Sequence, residues 1–219
     1  HYCAASKNAT QTAGLCFAGF DGPTYPSPGV TTGTESYNGT AWTEVGNLLT
    51  GRAAPGGSGS QTAAICMSGS PYSGGSASRN SLTEIWNGST WTEVNNTVTA
   101  SAWMCSFGTS TATIMAGGSV PPTTNSCQTW DGTCWTEGNN LLSPTSSDTG
   151  CGTVTAGLHM GGWPSTLTSQ TYNGTSWTEV NDLNSVHSNP GGWGTQTAGM
   201  INGSDQPSTS GATEIYDGT

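Results

Sequence analysis

Tyr37-Asn38-Gly39-Thr40-Ala41-Trp42-Thr43-Glu44-Val45 is the stretch that decides the fold, because it keeps coming back. It returns as Trp86-Asn87-Gly88-Ser89-Thr90-Trp91-Thr92-Glu93-Val94, as Trp130-Asp131-Gly132-Thr133-Cys134-Trp135-Thr136-Glu137 and as Tyr172-Asn173-Gly174-Thr175-Ser176-Trp177-Thr178-Glu179-Val180. A fifth copy opens at Tyr216-Asp217-Gly218-Thr219. The leading aromatics stand 49, 44, 42 and 44 residues apart. Self-similarity at that period signals stacked or radially repeated units, a propeller or a solenoid.

Within each copy, Asn-Gly or Asp-Gly between β-forming residues is a strong hairpin signal, expected as a two-residue type I′ turn. That turn predicts Tyr37 opposite Thr40 and Glu35 opposite Trp42, with Glu35, Tyr37, Trp42 and Glu44 on one face. The aromatic and the Trp five residues later then form a diagonal pair. Tyr37, Trp42, Trp86, Trp91, Trp130, Trp135, Tyr172, Trp177 and Tyr216 are the structural anchors of this reading, stacked between neighbouring sheets.

Upstream of each hairpin lies a small-residue strand ending in Gly, at 12–19, 62–69, 111–118, 155–162 and 197–203. Before that comes a variable stretch rich in Gly, Ala and Ser, as at 51–57 and 187–194, which suits an innermost strand. Each repeat therefore reads as four short antiparallel strands. The repeats run approximately 1–50, 51–99, 100–142, 143–184 and 185–219 within one domain of residues 1–219, and the last lacks its outer strand. The Gly doublets at Gly117-Gly118 and Gly161-Gly162, the Glu-x-Tyr of Glu35 to Tyr37 and the following Trp strand resemble the kelch repeat. The resemblance covers essentially the whole chain, although the doublet is complete in two of five copies. It implies an all-β, five-repeat kelch-like β-propeller, with a solenoid as the structural alternative. Similar degenerate arrays in surface proteins of phages and environmental microbes imply a virion or appendage setting.

Composition narrows the function. Three Lys and Arg against thirteen Asp and Glu leave a net charge of −10. Such a surface repels phosphate backbones and anionic lipid, so no nucleic acid is expected as partner. The longest apolar runs are far too short to span a bilayer, so no membrane insertion is expected. The chain starts at His1 without a signal-like stretch, as if a leader were removed or the ends of the parent were absent. Seven cysteines without CxxC spacing argue against a zinc framework. Cys16 and Cys66 fall in one repeat slot, shared by Met115, His159 and Ile201, and read as buried thiols. Cys127 and Cys134 flank one hairpin diagonally and are not expected to bond. Six N-x-Ser/Thr sequons, at Asn8, Asn38, Asn87, Asn95, Asn173 and Asn202, fit an extracellular or virion surface, though most sit where the fold itself asks for Asn.

No catalytic group, metal site or cofactor is expected. Glu44, Glu93, Glu137 and Glu179 recur once per repeat, the pattern of a structural hydrogen-bond acceptor rather than of a glycosidase pair. At the upstream site Glu35, Glu84 and Glu214 alternate with Gln128 and Gln170, which keeps the acceptor and drops the charge. His1, His159 and His187 lie in different repeats without ligand spacing. Residues that break the repeat are the better binding candidates. Tyr25, Tyr72, Arg79 and Trp163 fall in loops between second and third strands and could contact a glycan. Tyr2, Arg52, Ser101, Thr145 and His187 share one position near the expected axis.

The function expected is a non-enzymatic structural or decorating protein of a virion or extracellular appendage. Its partners would be copies of itself, other structural subunits or a glycan, the last making it a lectin or host-attachment module. A glycan-active hydrolase ranks third. The open edge of the fifth repeat is expected to take part in assembly.

Overall fold

The computed structural model describes residues 2–20, 29–71, 78–119, 122–164, 167–204 and 211–218. Tyr25 and Tyr72 lie outside the described residues. The strands come in the repeating order that the sequence sets. Blade one holds β1 (Ala4–Ala5), β2 (Gly14–Phe17), β3 (Thr34–Tyr37) and β4 (Trp42–Glu44). Blade two holds β5 (Gly56–Gly59), β6 (Ala64–Met67), β7 (Thr83–Trp86) and β8 (Trp91–Val94). Blade three holds β9 (Cys105–Gly108), β10 (Thr113–Ala116), β11 (Cys127–Trp130) and β12 (Trp135–Glu137). Blade four holds β13 (Thr149–Thr153), β14 (Ala156–Met160), β15 (Ser169–Tyr172) and β16 (Trp177–Val180). Blade five holds β17 (Gly191–Thr195), β18 (Ala198–Asn202) and β19 (Thr213–Tyr216). Each blade is one antiparallel sheet in sequence order, and among the described residues β19 pairs only with β18. The fold is a five-bladed β-propeller.

The chain forms two compact units. The first comprises His1–Ala102 with Thr109–Thr111 and the hairpin tip Asp131–Trp135; the second comprises the remainder. Leu15, Phe17, Leu48, Ala64, Cys66, Trp86 and Trp91 form the core of the first. In the second, Phe107, Ile114, Leu141, Tyr172 and Trp177 form one apolar cluster and Leu158, Met160, Leu183 and Ile201 another. Three of the fourth-strand Trp residues tie their blade to the one before. Trp91 Nε1 donates to Thr34 Oγ1 (3.0 Å), Trp135 Nε1 to Thr83 Oγ1 (3.1 Å) and Trp177 Nε1 to the Asn139 carbonyl (3.0 Å), each a polar tip satisfied on the preceding blade.

The hairpin differs from the expected two-residue turn. Tyr37 stands directly opposite Trp42, Trp86 opposite Trp91 and Tyr172 opposite Trp177, so four residues form the loop. The Asn side chain is the reason. Asn38 Oδ1 accepts the N–H groups of Thr40 and Ala41 (3.0 Å each), and only the glycine takes positive φ (Gly39 at 92°). Asp131 Oδ1 does the same for Thr133 and Cys134 (2.8 Å each). The aromatic pairs are therefore directly opposite across the ladder rather than diagonal, with ring centroids 5.2, 5.5 and 4.8 Å apart and ring planes tilted by 36°, 41° and 36°. The shared face of Glu35, Tyr37, Trp42 and Glu44 survives, because the two-residue extension preserves the parity of the pleat.

The second strands also stop earlier than the sequence suggests, at Phe17, Met67, Ala116 and Met160. Two consecutive residues with positive φ follow in each of these blades: Ala18 and Gly19, Ser68 and Gly69, Gly117 and Gly118, Gly161 and Gly162. The Gly doublet is the unstrained solution to that bend, and Ala18 and Ser68 adopt it at a cost of roughly 1–2 kcal/mol.

Candidate functional site

The recurrent acidic position of the third strand is taken up by the backbone. Glu84 accepts the N–H groups of Leu49 (2.7 Å) and Thr50 (3.3 Å), on the segment leading into its own blade. Gln170 accepts that of Leu142 (3.0 Å), and Glu214 those of Asn184 (2.6 Å) and Ser185 (2.8 Å). The acceptor role read from the Glu/Gln alternation is the one these residues perform. The fourth-strand acids differ: Glu44, Glu93, Glu137 and Glu179 are exposed, and no hydrogen bond of their carboxylates is seen. They stand directly opposite the third-strand position, Glu93 across from Glu84 and Glu179 across from Gln170, but on the edge strand of each blade.

Two residues of the shared position ahead of the first strand, Arg52 and His187, serve the third-strand acceptors. Arg52 is completely buried and pairs with Glu84, while its Nη1 donates to the Leu82 carbonyl (2.7 Å) and its Nε to that of Thr50 (3.2 Å). His187 lies between the Gly203 carbonyl (Nδ1, 2.7 Å) and Glu214 (Nε2, 3.2 Å). Glu84 and Glu214 are matched by Arg and His here, whereas Ser101 and Thr145 accompany Gln128 and Gln170. Tyr2 does not share this position: strand register aligns it with Ala54, Trp103, Ser147 and Asn189, all at positive φ, and it is 45% exposed.

Burial pushes the Glu214 carboxyl up, but the hydrogen bonds from Asn184, His187 and Ser185 outweigh it and hold it below its ordinary 4.5. A depressed folded value means that this contribution to stability is full above 4.5 and is lost as pH falls through the lower folded value. Thermal melts from about pH 5 down to about pH 3 are expected to show a smaller fall in Tm for Glu214→Gln, which keeps the acceptor, than for the parent.

One constellation departs from this structural pattern. His159, on β14, is completely buried, and its Nε2 lies 2.9 Å from Asp148 Oδ2, just before β13. Asp148 Oδ1 and His159 Nδ1 are also buried and have no hydrogen-bond partner. Burial raises the Asp148 carboxyl above its ordinary range, against the hydrogen bond from His159. Cys105, first residue of β9, completes the group, with one donor atom of each residue within 4.8 Å of the others. Gly117 closes the site over Asp148, because a Cβ there would stand 2.8 Å from Oδ2. No local ligand spacing marks these residues in the sequence, because they come from two strands and the segment before a third, in two blades. The available signal was His159 itself, a polar ring in a slot otherwise filled by Cys16, Cys66, Met115 and Ile201.

Blade one carries a second pair of reactive groups at the same two positions. Cys16 stands opposite Glu35, which stands opposite Glu44, and these residues with Phe17, Ala18, Thr31, Gly33 and Thr34 line a cleft of about 240 Å³. None of the seven cysteines is in a disulfide. Burial pushes Cys66 up to about 12 and Cys127 to about 11, as expected for inert core thiols. Cys3, at the surface, is instead pulled down to about 6 by a hydrogen bond from Cys16, against the opposing effect of burial. Asp131 holds the exposed Cys134 thiol above its ordinary range. At pH 7, iodoacetamide is expected to alkylate Cys3 at least about tenfold faster than Cys134. Peptide mapping by mass spectrometry reads the ratio, and Cys16→Ala should collapse it.

Of the rim residues, Arg79 is half-buried and donates to the Ser78 carbonyl (3.0 Å). Trp163 is 49% exposed and is clamped at both backbone groups to Ser146 (2.6 and 3.1 Å). The two lie in different units.

No family model matches the chain, and no curated protein matches it. Among solved structures, one titled "Structure of YjhT" superposes with a TM-score of 0.79 over 98% of this chain and 80% of that chain, at 11% sequence identity. A likeness at that identity speaks for the fold alone, and what it shows is that the chain is a β-propeller.

Proposed function

We propose that this chain is a non-enzymatic structural or decorating module of a virion or extracellular appendage, built from degenerate kelch-like blades. The observation carrying this reading is that the recurrent acceptors Glu84, Gln170 and Glu214 are spent on backbone N–H groups. Native mass spectrometry with cryo-electron microscopy tests it. Ordered multimers are the expected result, and monomers at micromolar concentration would overturn it.

A carbohydrate-binding role is the second reading, favoured by Trp163. Its ring is exposed and its backbone is fixed by two hydrogen bonds to Ser146, a presentation suited to stacking on a sugar face. A glycan array on the parent and on Trp163→Ala tests this, with binding expected only for the parent.

A further inference from the structure

We propose that Cys105, Asp148 and His159 form a binding site for a single divalent metal ion of the zinc class. Three departures from the repeat converge on this one point. Strand register makes Asp148 and His159 equivalent to Pro55 and Cys66 in blade two, Met104 and Met115 in blade three, and Pro190 and Ile201 in blade five. Those blades fill both positions without an acid or an imidazole. Cys105 occupies the position held by Ala4, Gly56, Thr149 and Gly191. A small apolar slot has thus become a thiol where, on the next blade, an apolar pair has become a carboxylate and an imidazole.

A hydrogen-bonded Asp–His pair does not account for the group. It leaves Asp148 Oδ1 and His159 Nδ1 buried and unpartnered, with their desolvation uncompensated. A bound cation gives the carboxylate a partner in the dry interior, where the charge would otherwise be uncompensated. The ligand chemistry selects the ion. One sulfur, one nitrogen and one oxygen donor suit Zn²⁺ or Co²⁺, whereas Ca²⁺ and Mg²⁺ take oxygen ligands. Thiolate and carboxylate with a neutral imidazole also cancel the double positive charge. Donors around a tetrahedral ion stand about 3.5 Å apart. The present spacing, within 4.8 Å, therefore closes with side-chain shifts of roughly 1 Å.

The repeat supplies variants that respect the fold. Cys105→Ala imports the residue of blade one, and the double variant Asp148→Met/His159→Met imports the pair of blade three without leaving a lone buried charge. The chain, reduced, stripped with chelator and refolded, would be titrated with Co²⁺ and then Zn²⁺. The expected result is one equivalent of Co²⁺ bound, with tetrahedral visible bands and a thiolate-to-cobalt charge-transfer band, displaced by Zn²⁺, and a raised Tm. Cys105→Ala should lose the charge-transfer band and the double variant all binding at this stoichiometry, while Cys66→Ser keeps both. Absence of saturable uptake by the folded parent would overturn the proposal. So would uptake unchanged in both folded variants, which would place the ion elsewhere, for example at Cys3 and Cys16.

Discussion

Arg52→Met is expected to destabilise the protein by about 3 kcal/mol, because it leaves the buried Glu84 carboxylate without its counter-charge. Both side chains are almost completely buried, at 0% and 1% exposure. Glu84 keeps the N–H groups of Leu49 and Thr50, which places the cost at the lower end of the range for a broken buried pair. The carbonyls of Leu82 and Thr50 also lose their guanidinium donors. For a chain of this length the loss corresponds to a fall in Tm of roughly 6–12 °C, read by calorimetry or circular dichroism. The compensating variant is written in the repeat itself. Arg52→Thr with Glu84→Gln reproduces the Thr145 and Gln170 of blade four and removes both charges together. It is expected to recover most of the loss, since replacing a buried ion pair by neutral groups is often close to neutral. Equal destabilisation in the single and double variants would mean that guanidinium packing, not charge, carries the effect.

Trp177→Ala is expected to cost about 3–5 kcal/mol, and Trp42→Ala less than about 1 kcal/mol, although the two residues occupy the same place in the repeat. Trp177 is 5% exposed, stacks at 4.8 Å on Tyr172, meets Phe107 edge-on at 6.4 Å and donates to Asn139 on the preceding blade. Trp42 keeps its Tyr37 partner at 5.2 Å but is 53% exposed. Truncation at Trp177 opens a cavity and strands a carbonyl, whereas truncation at Trp42 removes a ring that is already half in water. Parallel denaturant titrations of the two variants give the comparison. Similar losses would show that the within-blade pair, not the contact with the neighbouring blade, is what these tryptophans contribute.

The equivalence of Trp42 and Trp177 in sequence marks how far the repeat could be read. Period, strand order, the hairpin at each Asn-Gly or Asp-Gly and the acceptor role of Glu84, Gln170 and Glu214 were legible, because each rests on chemistry within a few residues. The turn length was not. Whether Asn38 adopts positive φ or folds its side chain back onto Thr40 and Ala41 is a competition between two local hydrogen-bonding schemes, and composition does not rank them. The Cys16, Cys66, Met115, His159 and Ile201 slot was legible as a buried position, and all but the partly covered Cys16 are buried. That His159 finds a carboxylate there was invisible, since Asp148 enters from the adjacent strand and Cys105 from another blade.

The sequence by itself determined the unit: a period near 44 residues, aromatic and glycine positions that suit short antiparallel strands, and a Glu or Gln acceptor position once per repeat. These are local consequences of backbone hydrogen bonding and of the alternation of side chains along a strand. The tertiary structure alone decided which copy of each residue is covered and which charged groups meet. Burial and electrostatic pairing depend on what the next blade places opposite, so identical motifs yield a core Trp177 and an exposed Trp42, and one repeat slot holds an inert Cys66 thiol and, at His159, a candidate metal ligand.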